Sequence, residues 1–235
     1  MAWQKKPEGA CRMLLVRHCE TEGNLRHVFQ GHIDTPVSPR GEEQLALLAV
    51  RCRNLPIDAI YTSPLDRAVK TAEAINQFHH LPIRTEPDLI EIHGGVWEGN
   101  PIEEFSKTHL ADEYAWSEEP WNFAPEGGES MRNVYVRVWN AAKRIAAAEM
   151  GKTVCVVSHG CAIRNILCAA LGKPVEALGE VGWGVNTAIS VVDFLPDGSS
   201  KVIAMNECGH VPVNPDAFTG AYRIPERDDA RKEVD

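Results

Sequence analysis

Three apolar runs in this chain end in groups that bind or attack phosphate. Leu14-Leu15-Val16 runs into Arg17-His18, and Val154-Cys155-Val156-Val157-Ser158 runs into His159-Gly160. A third run, Ile60-Tyr61-Thr62, is followed by Ser63-Pro64-Leu65-Asp66-Arg67. Each reads as a buried strand that delivers polar residues to its carboxyl end, the edge at which open α/β sheets bind ligands. Two arginines and two histidines gathered there make a site for a phosphate group. A guanidinium fork matches two phosphate oxygens and stays charged at any working pH, so Arg17 and Arg67 are candidate clamps. A neutral imidazole can attack phosphorus and carry it as phosphohistidine, which splits one hard step into two. His18 is the candidate nucleophile. His159 can hydrogen-bond an equatorial oxygen and stabilise charge in the transition state. Singly, such a histidine is more often a satisfied core group and such an arginine a surface ion pair. Their association carries the assignment.

The departing alkoxide needs a proton, and a carboxyl held near the phosphate supplies it. Glu91 and Glu98 both lie in the segment Glu91-Ile92-His93-Gly94-Gly95-Val96-Trp97-Glu98. Residue type alone does not choose between them. Thr21, Asn24, Gln30 and Asn186 can donate neutral hydrogen bonds to phosphate or substrate. The positive charge required comes from arginine and histidine, so neither a metal nor a cofactor is expected.

Arg17-His18-Cys19-Glu20-Thr21, with Asn24 following, resembles the opening motif of the histidine phosphatase superfamily. That fold group contains cofactor-dependent phosphoglycerate mutases and broad-specificity phosphatases. Its motif is Arg-His-Gly, then an acidic residue, Ser or Thr, and an Asn. Gln30-Gly31 resembles the family's next substrate-loop element. Glu91, four residues before Gly95 and with Trp97-Glu98-Gly99 behind it, resembles the acid-donor segment. The similarity runs from about Met13 to Val211 and implies Glu91, rather than Glu98, as the general acid. It also implies substrate contacts from Thr21, Asn24, Gln30 and Gly31. Cys19 departs from the motif's glycine. A thiol beside His18 and two arginines would be acidified and oxidant-sensitive, with Cys161 at the same edge; the plainer expectation is a buried spacer.

Mutases of this family carry a longer, Lys/Arg/Tyr-rich insertion that holds bisphosphates. Here residues 100–125 contain Lys107 as their only Lys or Arg, among several acids. The expected function is therefore phosphomonoester hydrolysis on a small phosphorylated metabolite. A phosphoglycerate mutase is the first alternative. A catalytically inactive phosphate-binding protein is the second, opposed by the intact Arg17, His18, Arg67, Glu91 and His159.

These residues need a scaffold. Strands are expected over 13–18, 58–62, 153–158, 187–194 and 201–206, with shorter extended pieces at 83–85 and 89–91. Ser38-Pro39 and Ser63-Pro64 each read as a helix cap followed by proline at the first helical position, the second helix reaching about His79. Further helices are expected from Gly127 to about Met150 and over 160–171. Pro196-Asp197-Gly198 marks a turn between the last two strands. The sum is one α/β domain over residues 1–235: a three-layer α/β/α sandwich with a mainly parallel sheet and a core of about 13–211. A small helical insertion at about 100–128 should cover the active site. Its aromatics, Phe105, Tyr114, Trp116, Trp121 and Phe123, either wall the pocket or pack the insertion down. A charged tail, about 225–235, should be loose.

The formal net charge of -9 argues against nucleic acid or anionic membrane surfaces as partners. No apolar run approaches the roughly 18 residues of a membrane span. The first residues lack a signal-peptide core. Seven cysteines without a Cys-x-x-Cys pair suggest a reducing cytoplasm, with no disulfide or zinc site. A homodimer is left open.

Overall fold

In the computed structural model, which describes residues 3–212, strand β1 (Cys11–Arg17) is buried along its whole length. It lies between β4 (Thr153–Ser158), its parallel partner, and β5 (Ile189–Phe194), its antiparallel partner. The six-stranded sheet has the order β3-β2-β4-β1-β5-β6, with β2 at Ala59–Thr62, β3 at Ile83–Thr85 and β6 at Ser200–Glu207. Only β5 runs against the other strands. The reason is local. A tight turn at Gly198, which has φ 86°, joins β5 to β6, whereas the parallel strands need helical crossovers.

Burial on both faces explains the continuous apolar runs. Met13 and Leu15 pack with helices α6 (Met131–Ala148) and α7 (Gly160–Ala170). Leu14 and Val16 pack with α2 (Pro39–Cys52) and α3 (Asp66–Asn76). The period-2 alternation of one strand thus feeds two cores and makes the three layers. Helix α2 starts as its sequence suggests, with Ser38 Oγ accepting from Gly41 N at 2.9 Å and Pro39 at the first position.

Three local expectations are corrected. Helix α3 begins at Asp66, capped by Leu65 without a side-chain bond, and ends at Asn76; Ser63 is not its cap. The piece expected to be extended at 89–91 instead begins inside a 3-10 turn, Pro87–Leu89, set by Pro87 and by Glu86 accepting from Asp88 N. The strand expected from 187 starts at Ile189, because Thr187 holds a left-handed φ of 61°.

Between β3 and α6 lies the insertion: helices α4 (Ile102–Ser106) and α5 (Leu110–Ser117), then a 3-10 turn at Pro120–Asn122. The preceding loop after β1 holds α1 (Glu22–Leu25). The two expectations for the insertion's aromatics divide by residue. Phe123 is fully buried and packs edge-on against Trp116, 4.8 Å ring to ring, while Tyr114 is exposed. Among the described residues, no helix is long and apolar enough to cross a membrane. The charged tail expected at about 225–235 lies outside the described residues.

Candidate active site

The carboxyl end of β1 delivers Arg17 and His18 together. His18 Nδ1 lies 2.6 Å from the carbonyl oxygen of Cys19. A carbonyl only accepts, so Nδ1 carries the proton and Nε2 keeps its lone pair. Burial, reinforced by the charges of Arg67 and Arg17, holds this imidazole well below its usual pKa. His18 is therefore neutral, with a nucleophilic nitrogen. Arg17 is buried, and its Nη1 donates to Gly184 O at 2.5 Å. Burial pulls its guanidinium down to about 10, still charged at neutral pH.

Arg67 stands in the first turn of α3 with 2% of its surface exposed. Its Nη1 donates to Ile33 O and Asp34 Oδ1, both at 2.9 Å, and its Nη2 donates to Gly31 O at 2.6 Å. The clamp and the loop at 31–34 thus hold each other. Gly31 has φ 50°, and a Cβ there would strike the Glu98 carboxylate. The Nε atoms of Arg17 and Arg67 are buried without a hydrogen-bond partner.

His159 follows β4 and caps α7. Its ring centroid lies 5.2 Å from that of His18. Its Nε2 is 2.7 Å from Ser63 Oγ, and its Nδ1 is buried without a partner. Burial, then Arg67, His18 and Arg17, push this imidazole well below its usual pKa too. Glu91 sits at the start of α7. Its Oε1 accepts from Ile92 N and Ala162 N, and its Oε2 from Cys161 N, at 3.0 to 3.1 Å. A carboxyl group suits the positive end of the helix dipole.

Arg17, His18, Arg67 and Glu91 line one pocket, while His159 is fully buried and not on its wall. Arg17, His18, Asn24, Gln30, Arg67 and Glu91 form its polar end, and Val28, Phe29, Ile92, Ile102, Trp116 and Trp183 its apolar wall. Among the described residues, no cluster of three His, Cys, Asp or Glu side chains is placed to hold a metal ion. The family model of the histidine phosphatase superfamily (branch 1) matches residues 13–207. The chain belongs to this superfamily.

Phosphoserine phosphatase 1 of Hydrogenobacter thermophilus is 36% identical over 200 residues, covering 85% of this chain and 94% of its own. A probable phosphoglycerate mutase GpmB of Cronobacter sakazakii is 33% identical, with 78% and 85% covered. The solved structure of Bacillus stearothermophilus YhfR superposes with a TM-score of 0.81 at 28% identity, covering 85% of this chain and 98% of that one.

Within this member of the superfamily, the expected substrate contacts fall into two groups. Asn24 and Gln30 line the pocket. Asn24 Oδ1 accepts from Thr21 N at 3.1 Å and Asn186 Nδ2 at 3.3 Å. Gln30 Oε1 accepts from Thr35 Oγ1 at 2.8 Å. Each carboxamide oxygen is thus committed to protein donors. Gly31 lines it as well. Thr21 and Asn186, expected at the substrate, are buried behind it and not on the pocket wall. Thr21 caps α1, and Asn186 Nδ2 also donates to His18 O at 3.0 Å. Both position their neighbours. Glu98 is likewise off the wall, tying His32 N and Gly94 N together through Oε1.

The acidified thiol is overturned. Cys19 is fully buried, and burial raises its thiol to about 11. It does not need glycine's freedom, since its φ is not positive. Its N–H donates to Thr71 Oγ1 at 2.9 Å. Cys161 faces Met131 Sδ at 3.3 Å and is pushed up by burial also. Two residues of the site escaped the sequence reading. Ser63 looked like a helix cap. Trp183 was overlooked, although the run Gly182-Trp183-Gly184 marks a bulky side chain in a loop with room to turn.

Proposed function

We propose that this chain hydrolyses phosphomonoesters of small metabolites through a phosphohistidine on His18, without a metal ion. The observation that carries this is the His18–Cys19 contact, which leaves Nε2 unprotonated beside two arginines. Nε2 attacks phosphorus as the ester P–O bond breaks. Glu91 gives its proton to the leaving oxygen. The resulting carboxylate then takes a proton from water, whose oxygen attacks phosphorus. The P–N bond breaks, its electron pair returns to Nε2, and inorganic phosphate departs. Arg17 and Arg67 hold the equatorial oxygens throughout, supplying fixed positive charge where the transition state needs it. With His159 Nε2 held at Ser63 Oγ, Nδ1 is the nitrogen left to meet a phosphate oxygen, as a donor when the serine hydroxyl donates to Nε2.

Hydrolysis is favoured over mutase chemistry by the distribution of charge. Arg17 and Arg67 are the Lys or Arg residues among those lining the pocket, both assigned to the reacting phosphate, and Val28, Phe29, Ile92, Ile102, Trp116 and Trp183 make much of the remaining lining apolar. Lys107 on α4 is exposed and paired with Glu103. A second phosphate of a bisphosphate would meet little positive charge. Seven free thiols, six of them buried, fit a reducing, cytoplasmic setting.

The test is a trapping experiment. Brief exposure to a labelled phosphomonoester should leave acid-labile, alkali-stable phosphate on the parent protein and none on His18→Ala. Turnover should persist after chelation. Label retained by His18→Ala, or activity lost to chelator and restored by a divalent ion, overturns the mechanism. Phosphate transfer between phosphoglycerate positions faster than release would favour the mutase.

A further inference from the structure

Trp183 is not part of the chemistry above, yet the fold holds it with unusual care. Its indole lies on the pocket wall, and the guanidinium of Arg164 is stacked 4.7 Å from its ring centroid. Arg164 is 7% exposed and lines a second pocket, which shares Arg17 and Gly160 with the first but not Trp183. It has no ion-pair partner among the described residues. A buried guanidinium without a carboxylate is costly unless another group stabilises it, and an indole face does so.

The backbone around Trp183 is pinned as well. Arg164 Nε donates to Val181 O at 2.7 Å, Asn206 Nδ2 to Gly182 O at 3.1 Å, and Arg17 Nη1 to Gly184 O at 2.5 Å. Gly160 makes room beneath. A Cβ there would lie 3.2 Å from the indole and 3.5 Å from Arg17 Cζ. Trp116, from the insertion, stands 5.7 Å away, ring to ring, tilted by 36°.

From this we infer that Trp183 is a stacking platform for the leaving group, and that Arg164 is the residue that positions it. The inference rests on the phosphatase reading and narrows it to esters whose leaving group is planar and apolar. Arg164 lies over one face of the indole, Trp116 stands beside it, and Trp183 still contributes surface to the catalytic pocket. The phosphate of such an ester sits on Arg17, whose guanidinium is bonded to the neighbouring carbonyl of the same loop. The distance between platform and clamp is therefore fixed by one short segment.

The experiment compares kcat/KM for phenyl phosphate and glycerol 2-phosphate, and reads their ratio. Trp183→Ala should lower the phenyl-to-glycerol ratio about tenfold, the scale of a lost aromatic contact. Trp183→Phe, which keeps a ring, should stay within about threefold of the parent ratio. Arg164→Met should raise KM for phenyl phosphate several-fold more than it changes kcat, and Arg164→Lys should restore most of that loss. An unchanged ratio in Trp183→Ala, or equal kcat losses on both esters in Arg164→Met, overturns the platform. If the parent hydrolyses neither ester, the phosphatase reading fails instead. The platform is then judged by calorimetry, from the affinity ratio of phenylphosphonate to methylphosphonate in the same variants.

Discussion

His159 Nε2 meets Ser63 Oγ at 2.7 Å, joining the residues that follow β4 and β2 next to the His18 ring. Ser63 N also donates to Val157 O at 3.0 Å, so the serine extends the sheet while it holds the imidazole. The bond occupies Nε2 and leaves Nδ1 for the substrate. Ser63→Ala should therefore lower kcat by about tenfold to a hundredfold, less than the loss of a whole transition-state donor. Stability should fall by only about 1 kcal/mol. Steady-state kinetics beside urea denaturation would check this. A loss confined to stability would remove Ser63 from the site.

The two buried imidazoles make a pH prediction for the protein without phosphate. Both are held well below the ordinary value of 6.5 when folded. Below about pH 6.5 the unfolded chain binds protons that the folded chain refuses. Stability is thus full above about 6.5 and falls as the pH drops toward the lower folded values. The slope should approach about 1.4 kcal/mol per pH unit for each histidine. His18→Asn should make it shallower by one proton, read from urea midpoints between pH 7 and 5. An identical slope in the variant would show that His18 is not held neutral.

Glu91→Gln keeps the shape of the side chain and removes its proton. Alkyl phosphates, whose leaving groups need protonation, should slow by about a hundredfold or more. Activated aryl phosphates such as 4-nitrophenyl phosphate should slow far less. A plot of log kcat against leaving-group pKa should steepen in the variant. Parallel plots would assign Glu91 to binding the start of α7.

Gly160→Ala tests the packing under Trp183. The added methyl would sit 3.2 Å from the indole and 3.5 Å from Arg17 Cζ, so one of them must give way. We expect KM to rise by about fivefold to tenfold, by a shift of the clamp or the wall. The φ of Gly160 is not positive, so backbone strain does not enter. A parent-like KM would mean that the indole yields at no cost to binding.

Cys19 should be inert in the folded enzyme. Its thiol has no exposed surface and is raised to about 11. Iodoacetamide near pH 7 should inactivate the parent and Cys19→Ala at the same slow rate. Peptide mapping should find label first at Cys208, the one thiol that is not buried. Faster inactivation of the parent, prevented by phosphate, would return Cys19 to the site.

The sandwich and the positions of Arg17, His18, Arg67 and His159 at one sheet edge were legible in the sequence because strand-end position and residue type follow from local pattern. A run buried on both faces must end at a sheet edge, and β1, β2 and β4 bring Arg17, His18, Arg67 and His159 to the same edge. Ser38-Pro39 capped a helix as local chemistry dictates. Ser63-Pro64, with the same dipeptide, did not, because a histidine 96 residues away claims the hydroxyl. That choice is tertiary. So is the fate of Cys19, whose thiol chemistry is set by how deeply the pocket's floor is packed rather than by the arginines near it in sequence. Thr21, Asn24 and Asn186 share a motif or a loop, but only their packed orientation separates the amide that faces the pocket from the groups that hold it. Local sequence determined which chemistry the edge could carry; desolvation and long-range hydrogen bonds, which exist only once the chain is folded, decided which atoms are free to perform it.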